Sequence, residues 1–173
     1  LPATQTAHDW CPKTPWLRKL YQQTAAIHAS KCSTIARIGG TGDGGKLICM
    51  DAMPRNNCVV YSLGSRLDFA FEVDMVRRLN CRVFTFDCTV GVPARDKVPH
   101  GVEFYPWCVG GADEMKTVSS DLGHQGELGQ YYTLTTIRKR LGHASVALLK
   151  MDIERHEFAV IQTLNEGNAP NQI

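Results

Sequence analysis

A glycine and an acid, each placed directly after an apolar run, are the residues of this chain best suited to bind a cofactor. The first run, residues 58–63, ends in Gly64 and Ser65, and the second, residues 82–86, ends in Asp87. A glycine at a strand-to-helix turn lets a ligand approach the backbone, where free N–H groups are available. A carboxylate at the end of the next strand can accept hydrogen bonds from both hydroxyls of a ribose. The pattern therefore predicts half of a nucleotide-cofactor site.

The turn after the first run also indicates which cofactor to expect. A dinucleotide needs the pattern G-x-G-x-x-G for close contact with its pyrophosphate. Here Gly64 is the single glycine of the turn, and the side chains of Arg66, Leu67 and Asp68 occupy the positions that follow. S-adenosylmethionine has no phosphate, so one glycine suffices for it. We expect S-adenosylmethionine as the cofactor and keep a nicotinamide-dependent oxidoreductase as the alternative.

A glycine-rich segment, residues 40–46, fits the first seven places of the phosphate-binding pattern G-x-x-x-x-G-K. The eighth place holds Leu47 where a magnesium-binding Ser or Thr is required, and a strand-like run follows instead of a helix. A glycine turn inside a hairpin is the structural alternative. A third interpretation keeps a role in binding, because the N–H groups of the loop and Asp43 can cap the amino-acid end of a cofactor.

Acidic residues recur after the last apolar run, where Asp152 and Glu154 occupy alternate positions. Such spacing favours side chains on the same side of an extended chain. They are the candidate catalytic residues, able to accept a proton or to orient the ammonium group of a cofactor. The alternative is helix capping by Asp152 with Glu157 in the first turn. Glu72 is either a further cofactor contact or a position on a solvated helix face. No metal site is predicted.

The elements that must position these residues alternate along the chain. Apolar runs at 58–63, 82–86, 102–106 and 146–151 are typical of strands buried on both faces of a parallel sheet. Three segments with helical spacing separate or follow them, at residues 67–79, 132–141 and 157–164. The alternation predicts an α/β, Rossmann-like, doubly wound sheet. Right-handed crossovers then gather the carboxyl ends of the strands, so Gly64, Asp87 and Asp152 should share one crevice.

The remaining segments complete the predicted organisation. Residues 1–31 are predicted as an arm followed by a helix over 15–29, and residues 32–173 as the main domain, beginning with a hairpin of strands 33–38 and 46–50. Residues 110–129 contain five glycines and predict a long loop. The chain ends where a fifth strand of the sheet should begin, so we expect the C-terminal strands of the domain beyond residue 173.

Composition restricts the classes of partner. A length of 173 residues fits one domain, and a net charge of +2 without a basic run gives no reason to expect a nucleic-acid partner. The apolar stretches are shorter than the roughly twenty residues that span a bilayer. Four histidines without ligand spacing are interpreted as surface or loop residues, namely His100, His124, His143 and His156.

The seven cysteines contain no C-x-x-C pair, which argues against a zinc ribbon. Three of them lie in or beside strand-like runs and are interpreted as buried thiols: Cys58, Cys81 and Cys88. Three others are candidates for disulfide pairing if the compartment is oxidising: Cys11, Cys32 and Cys49. The sequence leaves the compartment open.

Several of these motifs together resemble a known family. They are Gly42-Asp-Gly-Gly-Lys46, Cys58-Val-Val-Tyr-Ser-Leu-Gly64, Cys81-Arg-Val-Phe-Thr-Phe-Asp87 and Leu149-Lys-Met-Asp-Ile-Glu-Arg-His-Glu157. In order and spacing they resemble the FkbM-related, class I S-adenosylmethionine-dependent methyltransferases, nearest to the methyltransferase-like protein 24 group. The similarity covers residues from about 32 to 165.

The resemblance implies a Rossmann-like methyltransferase fold that binds its cofactor across Gly64, Asp87 and the turn after the third strand at Trp107-Cys-Val109, where Cys108 and Val109 are the expected contacts. It leaves the methyl acceptor unnamed and is compatible with the secretory pathway. Arg155 stands where the family usually has glycine. That departure keeps a non-catalytic binding module as a further alternative.

Overall fold

The computed structural model describes residues 32–118, 126–154 and 156–166. The helix predicted over 15–29 lies outside these residues. The strands are β1 (Ile35–Ile38), β2 (Lys46–Cys49), β3 (Val59–Leu63), β4 (Arg82–Phe86), β5 (Val102–Tyr105), β6 (Cys108–Val109), β7 (Glu114–Thr117), β8 (Leu128–Tyr132) and β9 (Leu148–Met151). The α-helices are α1 (Ala70–Leu79), α2 (Leu134–Leu141) and α3 (Glu157–Glu166).

Four strands form a parallel sheet in the order β5-β4-β3-β9. In its register Leu63 at the end of β3 lies opposite Phe86 of β4 on one side and Met151 of β9 on the other. All four strands run the same way, so their carboxyl ends lie at one edge of the sheet. The predicted Rossmann-like α/β fold is confirmed, and the chain order of the strands changes direction between β3 and β9, as in a doubly wound sheet.

Both faces of this sheet are covered, which explains why most residues of its strands are apolar. On one face, Tyr61 and Phe86 pack edge to face at 5.1 Å between ring centroids and share a core cluster with Ile137 of α2 and Val160 of α3. On the other face lies α1, which buries Phe71, Glu72 and Met75. His143 belongs to the first face, since its Nδ1 lies 2.8 Å from the hydroxyl of Tyr61. His143 lies in the loop after α2, which agrees with its interpretation as a surface or loop residue, but its ring is half-buried.

A second, three-stranded sheet has the order β6-β8-β7, with β6 parallel and β7 antiparallel to β8. The predicted long loop over 110–129 is therefore wrong, since it contains β7 and the start of β8. Neither strand has an apolar run, and Gly129 interrupts β8. Gly129 is needed for packing: a Cβ atom there would lie 2.5 Å from Val118 and 2.8 Å from the sulfur of Cys108.

Two compact units divide the chain: Leu1–Ala36 with Cys49–Ala52, and Arg37–Ile48 with Met53–Ile173. In the described part of the smaller unit, Cys32 and Cys49 form a disulfide. Asp51 there accepts hydrogen bonds from the hydroxyl and the backbone N–H of Ser33 and from the N–H of Thr34. These hydrogen bonds lower the pKa of Asp51, and the bond from the Ser33 hydroxyl has the largest effect. The larger unit contains the parallel sheet.

Two further disulfides lie in the larger unit, Cys58–Cys81 and Cys88–Cys108. The interpretation of Cys58, Cys81 and Cys88 as buried thiols is therefore wrong. Cys58 and Cys81 immediately precede β3 and β4, which are neighbours in the sheet, and their Cα atoms are 4.6 Å apart, within bridging distance. The spacing of cysteines along the chain does not reveal that adjacency.

Candidate functional site

A cleft of about 770 Å³ opens at the carboxyl ends of the parallel strands. Its walls are the glycine loop between β1 and β2, the turn after β3, and the segments that follow β4, β5 and β9. Ligands of open α/β sheets bind at this position. The structure brings most of the predicted site residues to this cleft: Asp43, Gly64, Ser65, Asp87, Cys108, Val109, Asp152 and Glu154. Gly64, Asp87 and Asp152 thus share one crevice, as the strand order predicted.

Gly64 is required by the backbone of a neighbouring strand. Its φ is 76°, in the left-handed region, and its N–H donates to the carbonyl of Phe86 at 2.9 Å. A Cβ atom at this position would lie 1.9 Å from the carbonyl oxygen of Asp152. The sequence suggested that the glycine admits a ligand, whereas the atom that approaches it in the structure belongs to the end of β9.

Asp87 is 4% exposed and already accepts four hydrogen bonds. One carboxylate oxygen accepts from the N–H groups of Ser65 at 3.0 Å and Arg66 at 2.8 Å. The other accepts from the N–H and the hydroxyl of Thr89 at 2.9 and 2.7 Å. Because a carboxylate offers about four acceptor positions, ribose hydroxyls would compete with these donors. Asp87 holds the turns after β3 and β4 together, and its contact with a ribose stays a prediction.

Lys150, in the middle of β9, lies directly beneath the turn after β3. Lys150 is 7% exposed, lines the cleft and donates from Nζ to the carbonyl of Gly64 at 2.6 Å. Burial lowers the pKa of Lys150, and the carboxylates of Glu72 and Asp152 oppose that shift. Sequence reasoning assigned no role to Lys150, although a cation inside an otherwise apolar strand is the signal that marks it.

Glu72 is fully buried on α1, so its interpretation as a solvated position is wrong. One carboxylate oxygen accepts from the hydroxyl of Ser62 at 2.6 Å, and the other has no hydrogen-bond partner within the described ranges. Burial raises the pKa of Glu72, while the Ser62 hydrogen bond and the charge of Lys150 act in the opposite direction. Glu72 does not line the cleft. Its contact with a cofactor stays a prediction.

The glycine loop is a hairpin turn folded around one side chain. Arg37 donates from Nε to the carbonyl of Gly40 at 3.0 Å, and from Nη2 to those of Thr41 and Gly42 at 3.2 and 2.7 Å. Asp43 is exposed at the tip and lines the cleft. Because a strand begins at Lys46 where a phosphate-binding loop requires a helix, the structure confirms the hairpin interpretation.

The two candidate catalytic acids differ in their surroundings. Asp152 forms an ion pair with Lys46, with 3.3 Å between Oδ2 and Nζ, whereas Glu154 is exposed and has a φ of 46°. In the alternative interpretation Glu157 does lie in the first turn of α3, but the helix begins at Glu157, so Asp152 does not occupy the N-cap position directly before it. Instead Glu157, the first residue of α3, accepts from the N–H of Ile153 at 2.8 Å.

Among the residues with rings that line the cleft are Trp107, which belongs to the turn expected from the family resemblance, and Tyr131 and His156, which the sequence did not indicate. Trp107 packs on Tyr105 with 4.6 Å between ring centroids. His156 packs on Tyr131 at 5.5 Å, and burial, followed by the charge of Lys116, lowers its pKa. His156 lies in the turn before α3, in agreement with its interpretation as a surface or loop residue, and its place at the cleft was not predicted. Its position directly after the acidic motif is the signal that could have indicated this.

Comparison with known proteins gives one match. Residues 10–173 match the model of a family described as a methyltransferase domain. No curated protein and no solved structure matches the chain. Within the described ranges, no helix is long and apolar enough to cross a membrane.

Proposed function

We propose, from the premise that this chain belongs to the methyltransferase domain family, that its cleft binds S-adenosylmethionine and that it transfers a methyl group to an acceptor. One structural observation carries the proposal. A cleft of about 770 Å³ lies at the carboxyl ends of the parallel strands, which have the order β5-β4-β3-β9. Acidic side chains and aromatic rings line this cleft. That volume is within the usual range for cofactor sites.

The side chains that line the cleft fit the positive charge and the flat base of this cofactor. Asp43, Asp152 and Glu154 are acids suited to an ammonium group, and Trp107 offers an aromatic face to a flat base. We assign the turn at Gly64 and Ser65 to the methionine portion and Cys108 and Val109 to the adenosine side. Asp87 would accept a ribose hydroxyl in place of a donor from Thr89. Glu72, behind the cleft wall, acts through its attraction for Lys150.

Bound S-adenosylmethionine supplies an electrophilic methyl group on a sulfonium. The task of the chain is then chiefly alignment, because direct displacement needs little more than correct geometry and, for some acceptors, one base. Glu154 is exposed on the cleft and free to accept the proton that an acceptor releases. Asp152 is paired with Lys46, so we assign it to orienting the cofactor.

The motif resemblance supports a finer proposal, that the chain falls in the FkbM-related group near methyltransferase-like protein 24. The single glycine of the turn and the methyltransferase family match favour this cofactor over the nicotinamide alternative. If the chain binds the cofactor but methylates no acceptor, the alternative of a non-catalytic binding module applies.

We also propose that the protein works in an oxidising compartment, which agrees with the secretory pathway. Disulfides persist in such compartments and are rare in the cytosol. The support is the presence of Cys32–Cys49, Cys58–Cys81 and Cys88–Cys108. Mass spectrometry of the protein isolated from its cells and alkylated without reduction should find these six cysteines unmodified, whereas alkylation of all six would contradict the proposal.

Calorimetry tests the central proposal. The chain should bind S-adenosylmethionine and S-adenosylhomocysteine but not NAD. Asp87→Ala should weaken binding of S-adenosylhomocysteine by about 1–3 kcal/mol, because it removes a charge-assisted acceptor and loosens two turns. Asp96→Ala is the matched control, since Asp96 is exposed and does not line the cleft. Unchanged affinity of Asp87→Ala would remove the assignment of Asp87, and binding of NAD alone would overturn the proposed function.

A further inference from the structure

A disulfide forms part of the cleft wall. Cys88 directly follows Asp87 at the end of β4, and Cys108 is the first residue of β6. Both line the cleft, and their Cα atoms are 4.9 Å apart. The bridge therefore joins the carboxyl end of the parallel sheet to the small sheet β6-β8-β7, at the point where both border the cleft.

On the Cys88 side, the bridge restrains a segment with little regular structure. From Cys88 to Ala94 the chain has neither helix nor strand, and the next regular element is a single 3₁₀ turn at Arg95–Lys97. Thr89 is held by its two bonds to Asp87, the acid assigned to the cofactor. A covalent bond at Cys88 thus fixes the segment that shapes one wall.

On the Cys108 side, the sulfur is held in a packed environment. Cys108 is 3% exposed and clusters with Val118 and Tyr131, while Gly129 leaves room for its sulfur. Its neighbour Trp107 lines the cleft and packs edge to face on Tyr132 at 5.2 Å. Cys108 is therefore a rigid anchor, and the bridge sets the distance between the Cys88 wall and the Trp107 wall.

The disulfide Cys58–Cys81 offers a contrast within the same molecule. Its cysteines precede β3 and β4, at the opposite end of the strands from the cleft, and neither lines it. The two bridges close chain segments of similar length, with sequence separations of 23 and 20 residues. In the chain-entropy model their effects on the stability of the fold are therefore nearly equal.

We infer that the Cys88–Cys108 disulfide is a positioning device of the cofactor cleft, so that the closed bridge favours binding of the adenosyl ligand and the open bridge disfavours it. The inference rests on the proposed function. Its physical basis is pre-organisation: walls already held in the binding geometry lose less conformational freedom when the ligand arrives. The Cys58–Cys81 bridge has no such effect on binding.

The first test compares two double variants by calorimetry with S-adenosylhomocysteine. C88S/C108S should bind about tenfold or more weakly than wild type, while C58S/C81S should bind as wild type does. Thermal unfolding of both variants measures the purely structural effect, which should be similar. Equal affinity of C88S/C108S and wild type would overturn the inference. So would an equal weakening in the two variants.

The second test uses wild-type protein and needs no variant to fold. By linkage, if the closed bridge favours the ligand, the ligand must favour the closed bridge by the same factor. Dithiothreitol reduces a disulfide to two cysteine thiols by transferring two electrons and two protons to it. The reagent is itself oxidised to a cyclic disulfide. Alkylation and mass spectrometry then give the reduced fraction of each bridge at equilibrium, under conditions in which the protein stays folded.

Saturating S-adenosylhomocysteine should shift the reduction equilibrium of Cys88–Cys108 about tenfold or more toward the disulfide and leave that of Cys58–Cys81 unchanged. Equal reduction of Cys88–Cys108 with and without ligand would overturn the inference. Absence of any binding to wild-type protein is a different result, because it overturns the proposed function itself.

Discussion

At the scale of single residues, the turn after β3 is held by contacts on several sides. Lys150 donates to the carbonyl of Gly64 from below, Asp87 accepts from the two N–H groups that follow it, and the carbonyl of Asp152 closes its remaining side. The backbone of this turn is thus held by residues of β9 and by the end of β4. Its shape is set before any ligand arrives.

Gly64→Ala should destabilise the fold by about 2–5 kcal/mol, because the added methyl group meets the carbonyl of Asp152 while φ is positive. Urea unfolding measures the change. Gly42→Ala is the matched control in the glycine loop, where an added Cβ has no atom within 4 Å, so no comparable loss is expected. Equal stability of wild type and Gly64→Ala would show that β9 can move away from the turn.

Sequence reasoning located the residues of the cleft better than it explained them. Gly64 and Asp87 follow apolar runs, and that position alone brings them to the edge of the sheet. Which atoms surround them depends on β9, which lies far along the chain, so the pattern could not identify the carbonyl of Asp152 or the donors to Asp87. The burial of Glu72 was equally hidden, because its partner Ser62 lies within an apolar run.

At the scale of elements, the start of α2 shows how a helix that packs on the parallel sheet is fixed. The hydroxyl of Thr133 accepts from the N–H of Thr136 at 3.2 Å, which caps the helix. Asp113, in the segment before β7, accepts from the N–H of Thr133 at 2.7 Å. The second sheet and α2 are therefore joined at the point where β8 ends.

Thr133→Ala should lower the free energy of unfolding by about 1 kcal/mol, the usual effect of losing a helix cap. Chemical denaturation provides the measurement. Thr135→Ala, two residues further on, is the control: Thr135 is an exposed helix position, where alanine is the better helix former, so no loss is expected. A loss of the same size in both variants would argue against the cap.

The elements found from the sequence were those with a strong apolar signal. β3 and β4 are the inner strands of the parallel sheet, and all four of its strands are mostly apolar because both faces of the sheet are covered. The strands β7 and β8 alternate polar residues with few apolar ones, and a glycine within β8 is required by the sulfur of Cys108. Composition of that kind is typical of loops, and only the three-dimensional packing distinguishes it.

At the scale of the whole molecule, two half-buried histidines make stability depend on pH. Burial, followed by repulsion from Arg82, lowers the pKa of His143, and burial, followed by Lys116, lowers that of His156. As the pH falls below the ordinary histidine pKa of 6.5, these histidines bind protons more readily in the unfolded chain than in the folded chain. The stability that the two neutral histidines contribute is fully present above pH 6.5. It is lost as the pH falls from 6.5 through the lowered pKa values of the folded protein.

His143→Gln should show a weaker loss of stability between neutral and mildly acidic pH than wild type, even where its stability at pH 8 is lower. Thermal unfolding across this pH range gives the slope. His100→Gln is the control, since His100 is exposed at the turn before β5. Parallel curves for wild type and His143→Gln would assign the pH dependence elsewhere.

The overall architecture was predictable because alternating strands and helices permit few arrangements, and the family motifs narrowed them further. Cys32 and Cys49 were among the three cysteines expected to pair, but the two disulfides of the larger unit were not predictable. Pairing Cys58 with Cys81 requires knowing that β3 and β4 are neighbours, and pairing Cys88 with Cys108 requires the second sheet, which the sequence did not indicate.

The position of Trp107 in the cleft wall also supplies an optical reporter. Indole emission responds to the polarity around the ring, and this ring lies against the cleft between Tyr105 and Tyr132. The chain has two other tryptophans, Trp10 and Trp16. Replacing both with phenylalanine would leave Trp107 as the single tryptophan, so that selectively excited indole emission would report the binding of candidate ligands without any label or any known acceptor.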